Sequence, residues 1–79
     1  MDETMVINRE NILSENARVV LKGICLDLEE KGYNAFKQIT EYLITGELGY
    51  ISSYKECRER IQGIDRRDVI EYMLKEFVK

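Results

Sequence analysis

The side chains that usually do chemistry are sparse in this 79-residue chain. There is no histidine, so the commonest general acid–base group is missing. Cys25 and Cys57 are the two thiols, and a cysteine or serine nucleophile needs a partner base. No cysteine- or serine-centred hydrolase motif is visible, and no glycine pattern matches a phosphate-cradling loop. Carboxylates acting in pairs, as in glycosidases, need a deep pocket that a chain this small has little room for. Two lone cysteines without histidine do not make a zinc site, which takes four nitrogen or sulfur ligands in close pairs. No dense acidic loop suggests calcium or magnesium. The expectation is a protein that is not an enzyme, with no cofactor and no metal.

Three features remain. Thr4 is the only hydroxyl among residues 1–10 and is flanked by Asp2 and Glu3. A phosphate there would add about −1.5 to −2 charge, and would either dock on an arginine-rich patch at Arg58, Arg66 and Arg67 or repel the acidic body. On the residues alone, an unmodified solvated threonine is the plainer reading. Lys55 to Arg67 holds Lys55, Arg58, Arg60, Arg66 and Arg67 against Glu56, Glu59 and Asp65. Such a run is more often a solvated helix face with internal ion pairs than a phosphate site. The net charge of −3 weighs against a nucleic-acid role, which needs a net positive face. A small helical DNA-binding or transcription-associated protein using Lys55–Arg67 is the alternative reading. The third feature is tyrosine, at positions 33, 42, 50, 54 and 72, a residue enriched at interfaces.

The elements that would position these groups are helices. Residues 1–10 carry no helical period and read as a flexible tail; residues 11–79 read as one helical domain. Ser14 is the expected N-cap of a first helix whose stripe is Ala17, Leu21, Ile24 or Cys25, and Leu28, widened by Val20. Gly23 within it marks a close approach, and Gly32 takes the C′ position. Asn34 caps a second helix with an apolar face of Ala35, Phe36, Ile39, Tyr42 and Leu43, ending at Gly46. Residues 46–53 form a loop in which Leu48, Tyr50 and Ile51 plug the bundle. Ser53-Tyr54-Lys55-Glu56 spells a capping box for a third helix with a Tyr54, Cys57 and Ile61 seam, ended by Gly63. A fourth helix starts at Asp65, with Val69, Ile70, Met73, Leu74 and Phe77 on one side. The fold class expected is all-α, a compact bundle of about four helices.

So short a chain buries a small core. Disulfides and metals are not expected to support it, so self-association into a homodimer is, with Tyr50, Ile51, Met73 and Phe77 as interface candidates. No apolar run approaches the roughly 18 residues that span a bilayer. No basic-then-apolar leader opens the chain. No membrane insertion and a cytoplasmic location are expected.

A family resemblance sharpens this. Glu30-Lys31-Gly32-Tyr33-Asn34, Gln38-Ile39, Tyr42-Leu43, Thr45-Gly46-Glu47 and Tyr50-Ile51 resemble the IreB family of small regulatory phosphoproteins from Gram-positive bacteria. Asp2-Glu3-Thr4 and Asp65-Arg66-Arg67-Asp68-Val69-Ile70-Glu71 are similar to its two ends. The chain differs at Ala35, Leu48 and Ser52, where the family usually has proline. The resemblance implies a helical homodimer and a phosphoacceptor at Thr4. It further implies a transmembrane Ser/Thr kinase with a partner phosphatase, and a role in cell-envelope stress and antibiotic-resistance signalling through contact with a downstream protein.

Overall fold

The computed structural model describes the backbone from Arg9 to Lys79 and side chains from Glu15 onward. Among the described residues there are four α-helices and no strand: α1 (Arg9–Glu30), α2 (Ala35–Thr45), α3 (Cys57–Gln62) and α4 (Arg66–Phe77). Short 3₁₀ turns at Leu48–Tyr50 and Tyr54–Glu56 lie between α2 and α3. None of these helices is long and apolar enough to cross a membrane.

Local chemistry sets most boundaries. At the end of α1, Gly32 adopts φ 96°. The Tyr33 N–H then donates to the Leu28 carbonyl at 2.9 Å and the Gly32 N–H to Glu29 at 3.0 Å, which is a Schellman closure. The Asn34 carboxamide oxygen accepts from the Lys37 N–H at 3.1 Å and caps α2. Gly46, at φ 78°, ends α2 by donating to the Tyr42 carbonyl at 2.7 Å. The Asp65 carboxylate accepts from the Arg67 and Asp68 amides and starts α4.

Ser14 is not the cap expected of it. The helix already runs at Arg9, because Arg9-Glu10-Asn11-Ile12-Leu13 contains no glycine or proline to stop it. Residues 1–8 of the predicted tail lie outside the described residues.

The core is one cluster. Ile24 and Leu28 of α1, Ile51 of the α2–α3 loop, and Cys57 and Ile61 of α3 are fully buried. Ala35, Ile39, Tyr42, Leu43 and Val69 complete it, with Ala17, Val20, Leu21, Cys25, Leu48 and Ile64 packed at its edge. Both cysteines are free thiols, Cys57 buried and Cys25 half-buried. Desolvation holds both above the usual thiol range, so neither is primed as a nucleophile.

The close approach expected at Gly23 is a side chain, not a helix backbone. A methyl group there would sit 3.0 Å from the Arg60 guanidinium. Of the three loop residues expected to plug the bundle, Ile51 is fully buried, Leu48 packs at the core's edge and Tyr50 is exposed. The Ser52 N–H donates to the Gln38 side chain at 2.9 Å, and the Arg58 Nε donates to the Ile51 carbonyl at 2.7 Å. These bonds satisfy the backbone polar groups beside the inserted side chain, which burial otherwise penalises. Phe36 does not join the apolar face of α2: it is 71% exposed, since Ala35 and Ile39 meet the core from the other side.

Ile51→Ala should therefore lower stability by about 2–5 kcal/mol, read as a shift in urea midpoint. A shift below about 1 kcal/mol would mean that the loop does not anchor the core.

Candidate functional site

Helix α4 buries little. Of its five expected apolar face residues only Val69 is buried, while Ile70, Met73, Leu74 and Phe77 remain exposed, Phe77 at 85%. Ile70, Leu74 and Val78 recur every four residues and form one stripe. Beside it, Ile44 on α2 is 69% exposed. Leu43, Ile44, Ile70 and Leu74 line an open groove of about 660 Å³ between α2 and α4, with Asp65, Arg66, Arg67 and Glu71 at its rim. A second groove of about 510 Å³ separates Ala17 and Leu21 of α1 from Val69, Tyr72 and Met73 of α4. A contiguous apolar face rimmed by charge is characteristic of a protein-contact surface.

Of the four interface candidates from the sequence, Tyr50, Met73 and Phe77 are exposed, but Ile51 is not available. It is 0% exposed, because the loop turns it into the core. Ile44 and Val78 are not among the sequence candidates. Ile70 and Leu74, on the apolar side of the predicted fourth helix, face water, because the apolar residues of α4 outnumber what one small core can take up.

The structure takes the basic segment apart. Arg58 is held by the Ile51 carbonyl. Arg66 Nη1 donates to the Leu43 carbonyl at 2.9 Å, lies over the Tyr42 ring at 5.9 Å, and packs against Gly46. It thereby binds one of the carbonyls left open at the end of α2, where the helix dipole favours a cation. Arg60 Nη1 reaches Asp27 at 2.6 Å and the Lys55 carbonyl at 3.2 Å. Arg67 is exposed, and its side chain has no partner among the described residues. Arg58 and Arg66 thus each bind a backbone carbonyl within the domain, and the nucleic-acid reading is not favoured. Thr4 lies outside the described residues.

Tyr54 and Lys55 form a charged cluster with the last turn of α1. Lys55 Nζ lies 3.0 Å from Glu30 and 3.8 Å from Asp27. The Tyr54 hydroxyl donates to Glu30 at 3.3 Å, and Lys31 and Lys55 sit 5.4 and 5.5 Å from the Tyr54 ring centre. The capping box expected at Ser53–Glu56 is absent. Ser53 makes no side-chain cap, and the Glu56 amide donates to the Ser53 carbonyl at 3.1 Å instead. Ser52 serves in its place, its hydroxyl accepting from the Tyr54 amide at 3.2 Å. Lys55 (φ 50°) and Glu56 (φ 59°) are left-handed, a conformation that costs a non-glycine residue about 1–2 kcal/mol. The Lys55 side chain reaches back from this bend to α1.

The hydrogen bond and charge of Lys55 pull the Glu30 carboxyl below its ordinary range, and Glu30 raises Lys55 in return. A depressed acid stabilises the fold above its unfolded pKa and loses that contribution as pH falls through the folded value. The Glu30 contribution is therefore full above about pH 4.5 and disappears below it. The raised Lys55 contributes below about 10.5 and loses its share at more alkaline pH. Urea midpoints of Glu30→Gln should lie below those of the unmodified chain at neutral pH and converge with them in acid, with a smaller gap at high salt. Parallel pH curves would remove Glu30 from the acid response.

The site thus combines an exposed apolar face with three arginines, Arg58, Arg60 and Arg66, that bind groups within the domain. The model of the IreB regulatory phosphoprotein family matches residues 2–79. The chain belongs to the IreB family of regulatory phosphoproteins.

Proposed function

We propose that this chain is a cytoplasmic phosphorylation-controlled regulator in cell-envelope stress and antibiotic-resistance signalling. Thr4 receives phosphate from a transmembrane Ser/Thr kinase, and a partner phosphatase removes it. The output is binding to a downstream protein, not catalysis. The observation that carries the reading is the family match, which begins at residue 2 and so includes Thr4. Phosphorylation adds charge to a segment already bearing Asp2 and Glu3. With Arg58 and Arg66 engaged by backbone carbonyls, repulsion from the acidic body is the simpler route by which that charge acts. Phosphosite mapping after incubation with the host kinase should label the unmodified chain on Thr4 and leave Thr4→Ala unlabelled. Label only at other positions would end the assignment.

The same proposal includes a homodimer formed through the α2–α4 face. Ile44, Ile70, Leu74 and Phe77 expose large apolar side chains on neighbouring elements, the kind of surface that association covers. The groove rim carries both signs, Arg67 and Glu71, which suits a twofold contact where one patch meets its own copy. Sedimentation equilibrium should show a dimer for the unmodified chain. Leu74→Asp, at an exposed position, should shift it to monomer with helicity retained. A Leu74→Asp chain that dimerises with unchanged affinity would place the interface elsewhere.

A further inference from the structure

Residues 53–57 carry two incompatible instructions. Ser53 and Glu56 have the types and spacing of a capping box, which would start α3 one turn earlier. The structure instead bends Lys55 and Glu56 into the left-handed region, the only non-glycine residues there among those described. What selects the bend comes from outside the segment. Lys55 Nζ is held by Glu30 and Asp27, and Arg60 ties Asp27 to the Lys55 carbonyl. Lys55 and Glu30 are both about half exposed, so their attraction is screened by water and salt. A strained backbone balanced against a weak, screened clamp has a second state close in energy.

We infer that Ser53–Cys57 is a two-state helix start, held left-handed by the Asp27 and Glu30 carboxylates and able to rewind into a capped first turn of α3 when that clamp is released. In the rewound state Ser53 accepts from the Glu56 amide, Glu56 reaches back to the Ser53 amide, and the Lys55 carbonyl leaves Arg60. The change is not confined to the segment. Arg58, on α3, holds the carbonyl of Ile51, the residue by which the α2–α3 loop enters the core. Rewinding thus couples the charge state at the end of α1 to the loop that displays Tyr50, exposed at 47%. The device is independent of the phosphorylation reading, since none of its groups lies in residues 1–8.

Solution NMR of the full chain reads the two states directly. A left-handed residue gives a strong intraresidue HN–Hα cross-peak, whereas a right-handed helical turn weakens it and adds Hα(i)–HN(i+3) cross-peaks. The unmodified chain should show the left-handed pattern at positions 55 and 56. Lys55→Ala removes the clamp at an exposed site and should give helical connectivity from Tyr54 through Arg58. Asp27→Asn with Glu30→Gln releases the clamp from the α1 side and should do the same. Glu56→Gly keeps Lys55 and favours the left-handed form, so it should hold the bend and raise the melting temperature. Left-handed signatures retained in both Lys55→Ala and the double carboxylate variant would overturn the inference, as would Glu56→Gly giving the helical pattern.

Discussion

The structure depends on keeping water from Ile24 and Leu28. These two side chains of α1, one helical turn apart, are wholly buried and form the wall on which the rest of the core is laid. Helices α2 and α3 both pack side chains into this cluster, and a loop residue, Ile51, turns inward beside Cys57 and Ile61. Burying a loop side chain brings backbone groups into apolar surroundings, and each must find a partner. Gln38 and Arg58 supply those partners from the two flanking helices. The hydrophobic requirement thus dictates where two polar side chains must point.

The same logic governs the arginines. Their place in the sequence puts Arg58, Arg60 and Arg66 in a charged run that reads as a solvated helix face. In the structure they instead close gaps that helix geometry leaves open. One holds a loop carbonyl, one joins α3 to the Asp27 carboxylate beside Gly23, and one binds a carbonyl at the end of α2. The planar guanidinium suits this work because it forms directed bonds while stacking on a ring or filling the space left by a glycine. At Gly46 any side chain would collide with Arg66, and the positive φ excludes most residues besides. Small residues and arginines are therefore paired features of this fold.

What the core cannot accommodate becomes surface. Helix α4 brings five apolar side chains toward a core with room for one: Ile70 and Leu74 line the groove beside Ile44, Met73 lines the groove facing α1, and Phe77 is exposed. For a domain of this size, exposed apolar area is a cost that association relieves. The family to which the chain belongs, one of regulatory phosphoproteins, is consistent with a molecule whose activity resides in its surface.

The helix ends at Gly32, Asn34, Gly46 and Asp65 were legible in the sequence, as were the α1 stripe and the Cys57–Ile61 seam. Each depends on residues a few positions apart, so local geometry determines the outcome. The start of α3 was not legible. The Ser53–Glu56 box is sound local chemistry, but Asp27 and Glu30, far back along the chain, overrule it through contacts that exist only once α1 and α3 have met. The fate of the arginines and of Ile51 was hidden for the same reason, since a carbonyl or a cavity assembled from distant segments leaves no spacing to read. Periodicity shows that Phe36, Ile70 and Leu74 are apolar, but only the arrival of neighbouring helices decides which side of each helix is covered. Sequence alone determined the helices and their stops, while tertiary packing decided which charges are engaged, which apolar side chains face water, and where one helix begins.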